Sequence, residues 1–185
     1  MPANAYKNFS DRFIAHTGIP LPGHPYPCTY VKKDKQFGEY LQSVPTDQCV
    51  KMSPSVRMQG LWRNEFEGSQ FCPAPAKECS FALEDGGNER RIWLDFAAPF
   101  PSSEERLPGG LYAVDFVGRR TVYRGEYGHL GVFDGEVIVD RMISIKEIEA
   151  PPPPPTKAET VKYWKECEAA GNCIPNWEAI NKIED

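Results

Sequence analysis

Leu111-Tyr112-Ala113-Val114-Asp115-Phe116-Val117 alternates Tyr112, Val114 and Phe116 with Ala113 and Asp115, the period of two of a half-buried β-strand with one aromatic and aliphatic face. Further on, Val137, Val139, Ile143 and Ile145 alternate with Ile138, Asp140, Met142 and Ser144. That run is dense in β-branched residues and predicts a second strand. Between the two, Gly125, Gly128 and Gly131 surround Glu126, Tyr127, His129 and Leu130, and the Asp134-Gly135 pair favours positive φ, so the chain reverses here. Neither a strand nor a helix needs glycine at every third position. The spacing predicts a loop that visits positive φ at one or more of the three glycines. In this reading Glu126, Tyr127 and His129 form the candidate functional loop: Tyr127 and Leu130 pack on one end of a barrel, His129 bonds the backbone, and the loop acts as a lid.

Working outward, Trp62, Asn64 and Phe66 alternate with Arg63, Glu65 and Glu67, a strand with an aromatic inner and a charged outer face. A loop over residues 68–80, short strands at Phe81 to Leu83 and Ile92 to Phe96, and a surface connection to Gly110 follow. Residues 56–149 thus hold about five short strands separated by turn signals, which predicts a mainly β fold, a small five-stranded OB-like barrel. Residues 1–55 read as an N-terminal arm. A short helix carries Tyr6, Phe9, Phe13 and Ile14 and is closed by Gly18, the prolines 20, 22, 25 and 27 impose an extended segment, and Thr29 to Val31 forms a strand. Phe37 to Val44 is compatible with strand or helix.

Residues 150–155 contain five consecutive prolines, a polyproline II linker rising about 3.1 Å per residue and so about 15 Å long. Residues 156–185 read as a short helical hairpin. Thr156 and Glu159 have capping-box spacing, Ala158, Val161 and Trp164 recur at three, and a second helix after Pro175 would align Trp177, Ile180 and Ile183.

With 185 residues, 41% of them apolar, the chain can build one real core. Its formal charge of −5 gives no long-range attraction to nucleic acid or anionic membrane. No apolar run approaches the roughly 18 residues of a membrane span. The six cysteines, Cys28, Cys49, Cys72, Cys79, Cys167 and Cys173, include no C-x-x-C knuckle, and only three histidines could complete a zinc set, so zinc is not expected. An even number in local pairs reads as disulfides, which persist in the periplasm or outside the cell; six reduced cytosolic thiols are the alternative. Many connectivities are open. The local one, Cys28 with Cys49, Cys72 with Cys79 and Cys167 with Cys173, closes short loops worth about 2–3 kcal/mol each in the chain-entropy model. Residues 1–10 have no basic region followed by an apolar core, so the exported reading places the signal, and any membrane tether, upstream of the sequence.

Gly60-Leu61-Trp62, Glu65-Phe66-Glu67-Gly68-Ser69-Gln70-Phe71, Trp93-Leu94-Asp95, Phe116-Val117-Gly118-Arg119 and Gly125-Glu126-Tyr127-Gly128-His129-Leu130-Gly131 followed by Val137-Ile138-Val139 resemble a group of uncharacterised bacterial envelope proteins, many with a secretion signal or lipid-attachment cysteine. The order is also similar to OB-like barrel domains of envelope lipoproteins, of the kind found in the copper-stress lipoprotein that senses surface contact. The resemblance spans residues 56–148 and implies a fold and a compartment, not an activity.

Each candidate for chemistry has a structural counterpart. His129 with Glu126, Asp134 and Glu136 has the donor types of a metal site, but a histidine between glycines also serves as a turn residue. Glu65 and Glu67, about 7 Å apart on one strand face, have a spacing that acid/base catalysis can use, although a solvated acidic face is the better account of them. Arg119, Arg120 and Arg124 with Tyr123 could bind a single nucleic-acid strand, or form a solvated hairpin tip. Arg141 shares the parity of Val137, Val139, Ile143 and Ile145, so continuous alternation buries it and requires a carboxylate or several carbonyls against it. The reading that follows is an exported, disulfide-stabilised binding or structural module of the bacterial envelope, without catalysis or cofactor, whose partner is an envelope protein or small ligand. A metal-dependent or acid/base enzyme using His129 and Glu65/Glu67 is the alternative, and a single-stranded nucleic-acid binder the next.

Overall fold

The computed structural model describes residues 1–80, 91–97, 107–150, 153, 155–171, 173 and 174. The chain divides into two compact units, Met1–Pro151 and Pro152–Asp185.

The first unit begins with α1 (Phe9–Thr17). The Asn8 side chain accepts a hydrogen bond from the Asp11 backbone N–H at its start, and Gly18, at φ 69°, closes it. Next come β1 (Thr29–Asp34) and β2 (Gly38–Ser43), an antiparallel hairpin, so the ambiguous stretch at Phe37 to Val44 is a strand. A four-residue helix, α2 (Thr46–Cys49), leads into the barrel strands β3 (Val56–Glu65), β4 (Gly68–Pro73), β5 (Ile92–Phe96), β6 (Gly110–Arg120) and β7 (Gly135–Glu149).

These five strands close in the order β3-β4-β5-β7-β6. Only the β5–β7 pairing is parallel, and counted from the first barrel strand the order is 1-2-3-5-4, an OB-like arrangement. The predicted barrel is present, and its second strand lies within the predicted loop. The predicted loop at residues 68–80 begins with β4, whose Ser69 and Phe71 face inward; the predicted strand at Phe81 to Leu83 lies outside the described residues.

Trp62, Phe71, Leu94, Tyr112, Val114, Phe116, Val137 and Val139 fill the interior, with Phe71 edge-on to Phe116 at 5.2 Å. Closure brings backbones close at Gly118, where a β-carbon would lie 2.5 Å from the Ile138 carbonyl oxygen. No side chain fits there.

The β6–β7 ladder slips three times. Opposite β6, the pairings Gly118↔Val139 and Val117↔Arg141 leave Asp140 extra, Phe116↔Met142 and Asp115↔Ser144 leave Ile143 extra, and Tyr112↔Glu147 and Leu111↔Glu149 leave Ile148 extra. These are β-bulges, and each changes the phase of the strand. The inward positions are therefore Val137, Val139, Met142 and Ile145. Arg141 is exposed and Ile143 is 41% exposed, which corrects the expectation of a buried Arg141 ion pair: strict alternation fails at Asp140.

All three disulfides join the local pairs, Cys28–Cys49, Cys72–Cys79 and Cys167–Cys173. A second cluster, Ala5, Tyr6, Cys49, Val50, Tyr127 and Phe133, packs residues 1–55 onto the barrel. In the second unit α3 (Lys157–Ala169) starts at Thr156 with the predicted capping box complete. The proposed second tail helix, and most of the polyproline run, fall outside the described residues. Among the described residues no helix is long and apolar enough to cross a membrane.

Candidate ligand groove

The loop between β6 and β7 is held by the Tyr127–Phe133 bridge, whose N–H groups donate to each other's carbonyls at 2.9 and 3.2 Å. Two of its three glycines have positive φ, Gly128 at 65° and Gly131 at 69°, and Leu130 joins them at 55°. A β-carbon on Gly128 would sit 2.6 Å from the Trp93 ring, so bare backbone covers that indole. Phe133 meets the same indole edge-on at 5.0 Å.

Tyr127 is buried as expected, and its hydroxyl donates to the Tyr123 carbonyl at 2.9 Å. Leu130, expected to pack down, is 84% exposed, because the left-handed turn at this residue swings its side chain outward. His129 faces a side chain: its Nε2 lies within ion-pair distance of Glu67 Oε2, at 3.4 Å. The loop is thereby tied to the β3–β4 turn.

Glu65 and Glu67 do not share a strand face. The chain turns at Phe66 and Glu67, where Glu67 has φ 57°, so Glu65 stays on β3 beside Arg63 at 3.7 Å while Glu67 points to His129. Phe66, predicted to face inward, is 93% exposed at that turn. Nor do His129, Glu126, Asp134 and Glu136 converge. Among the described residues the only three metal-ligating side chains within 4.8 Å of one another are Asp11, Cys28 and Cys49, and those sulfurs bond each other. Asp11 is buried as a brace, accepting the Cys28 backbone N–H at 2.8 Å. Arg119 is held by Asp140 at 2.7 Å and Asp47 at 3.2 Å, and Tyr123, partly buried, packs against the second cluster.

The loop does not simply cap the barrel; it ends an open groove. The groove, about 760 Å³, runs between residues 27–29 and 43–48 of the arm on one side and β5 and β7 on the other, with Glu126, Tyr127, His129 and Glu67 at the loop end. Trp93, Phe96 and Ile138 are apolar parts of its lining, and Asp47, Asp95 and Glu136 are acidic.

Glu136 is the exceptional member. It is 4% exposed, its Oε2 accepts the Thr46 hydroxyl at 2.9 Å, and no cation lies within ion-pair distance among the described residues. Burial pushes its carboxyl up to about 7; the Thr46 hydrogen bond opposes that, and the charges of Asp95 and Asp47 add to it. Its backbone is fixed by Thr121, whose N–H donates to the Glu136 carbonyl at 2.9 Å and whose Oγ1 accepts the Glu136 N–H at 3.1 Å.

The sequence pointed to the loop and missed Asp47, Thr46, Trp93 and Asp95 as its partners. A signal for buried Glu136 was present. Val137-Ile138-Val139 is apolar at three consecutive positions, which marks a strand covered on both faces, and Glu136 shares the face of Ile138. No family model, curated protein or solved structure matches the chain.

Proposed function

We propose that the protein is an exported binding module of the bacterial cell envelope, stabilised by its three disulfides, that holds its ligand or partner in the groove between arm and barrel and performs no catalysis. The observation that carries the binding reading is the preformed groove itself, with apolar walls and a few placed polar groups, the usual make-up of a ligand site. Its position supports the same reading: in OB-like barrels ligands meet the second and third strands and the loops after the first and fourth, and here the β3–β4 turn, β5 and the β6–β7 loop contribute Glu67, Trp93 and His129. The export reading is supported by three formed disulfides with no free cysteine, and by the resemblance to envelope proteins.

The test has two parts. Cells expressing the full gene are fractionated and thiols are blocked before reduction; six cysteines unreactive until reduction, in an envelope fraction, are expected, and blocked thiols in the cytosol would refute export. Amide exchange of purified protein is then followed against cationic, neutral and anionic ligand panels. Protection at residues 44–48, 93–97 and 126–129 is expected from at least one of them.

A second reading, an acid/base enzyme, is favoured by one observation, the Glu136 carboxyl near 7. It requires turnover that Glu136→Gln abolishes while ligand binding persists.

A further inference from the structure

Taking the groove as the ligand site proposed above, and resting on that reading, we infer that its occupant is an organic cation, an alkylammonium carried on an extended chain. Three features of the groove select this chemistry. The first is Glu136, nine-tenths buried with one carboxylate oxygen bonded to Thr46 and the other without a hydrogen-bond partner among the described residues. A buried carboxylate is normally matched by a cation. None is supplied among the described residues: the groups facing Glu136 are Thr46 and Asp47 from α2, Asp95 from β5 and Thr121 from the strand end, with Glu126 and His129 at the groove end, while the Arg119 guanidinium is committed to Asp47 and Asp140.

Second, Asp47, Asp95 and Glu136 do not bring one oxygen each within 4.8 Å of one another as a metal triad would. A chain bearing separated ammonium groups can meet them in turn. Third, the stretches between the acids are apolar. Ile138, Phe96 and the Trp93 indole line the same space, and methylene stems pack on such surfaces while their charged ends reach the carboxylates.

An alkylammonium of this kind comes from a polyamine or from lysine side chains of a peptide, and the experiment separates the two. Spermidine, tetralysine and fully Nε-acetylated tetralysine are titrated calorimetrically into the intact protein at pH 6 and pH 8. Wild-type protein is compared with Glu136→Gln, Asp95→Asn and, as a control outside the groove lining, Glu168→Gln on α3.

The expected result is that spermidine, tetralysine or both bind and the acetylated peptide does not. Glu136→Gln, which keeps an oxygen for Thr46, weakens binding at least tenfold; Asp95→Asn weakens it less, and Glu168→Gln leaves it unchanged. Because the ligand must meet an ionised Glu136, wild-type affinity rises about tenfold between pH 6 and pH 8, and Glu136→Gln loses that rise. Binding of spermidine and tetralysine alike points to a polyamine, and binding of tetralysine alone to a peptide. The inference is overturned if neither binds, if the acetylated peptide binds equally, or if Glu168→Gln weakens binding as much as the groove variants do. Should a neutral or anionic ligand protect the groove from exchange when the amines do not, the binding module stands and its cationic ligand falls; protection by none of the panels removes both.

Discussion

Over Glu136–Val139 strand β7 is buried on both sides, yet the sides differ in chemistry: Val137 and Val139 join a mostly apolar barrel interior, while Glu136 and Ile138 lie under the arm in a groove lined with carboxyls. In the interior the buried Ser69 hydroxyl is paired: it accepts the Trp62 indole N–H at 2.9 Å and donates to the Leu94 carbonyl at 2.6 Å. The interior's aromatic contacts, such as Trp62 to Tyr112 at 5.4 Å, use the available surface. On the arm side Glu136 is 4% exposed, with one carboxylate oxygen held by Thr46, and no cation pairs with it among the described residues. Burial alone therefore does not distinguish a core from a site. What distinguishes them is whether the buried groups have satisfied one another.

The largest effect that would test this comparison is on the apolar side. Phe116→Ala should cost about 3–5 kcal/mol by urea denaturation, the cost of an unfilled aromatic cavity. A loss under about 1 kcal/mol would show that the barrel interior is not the stabilising face.

Next comes the carboxyl side. An unfolded glutamate titrates near 4.5, whereas burial pushes the Glu136 carboxyl up to about 7 in the fold. The folded state binds the proton more tightly, so stability is highest at low pH and falls as pH rises between those values. The fall is on the order of 3 kcal/mol. Thermal melts from pH 4.5 to 8 should show that slope superimposed on the titration of other groups, and Glu136→Gln should flatten it. Identical slopes would mean that Glu136 is hydrated and that the two faces differ less than their exposure indicates.

The smallest effect belongs to the rim. His129 and Glu67 are both well exposed, and such pairs are worth about 0.5 kcal/mol or less. His129→Ala should leave the melting temperature within about 2 °C of wild type; a much larger drop would assign the rim a structural role comparable to the buried faces.

The barrel was legible in the sequence wherever a strand had one dry face. Tyr112, Val114 and Phe116 announced β6 through simple alternation, and Trp62 did the same for β3. The inner face of β4 was hidden because Gly68, Cys72 and Pro73 read as loop residues. Arg141 was misplaced for a geometric reason: a bulge has no residue type of its own, so a phase change at Asp140 cannot be read from Val137 to Ile145. The loop residues Tyr127 and His129 were found through their glycines. Their partners were not, since Thr46 and Glu136 are 90 positions apart and meet only because the arm folds back. Pairings of that range carry no local pattern.

The three slips of β7 also bear on how chain length can vary. β3 pairs with β6 without interruption from Val56↔Gly118 to Asn64↔Gly110, so removing one residue from its middle shifts every following partner and turns the remaining side chains to the other face. β7 carries slack. Asp140, Ile143 and Ile148 have no partner of their own on β6, and deleting one of them straightens a bulge while the flanking pairs keep their partners. Asp140 is bound to Arg119, which leaves Ile143 and Ile148, both exposed, as the places where this barrel can lose a residue without losing its register.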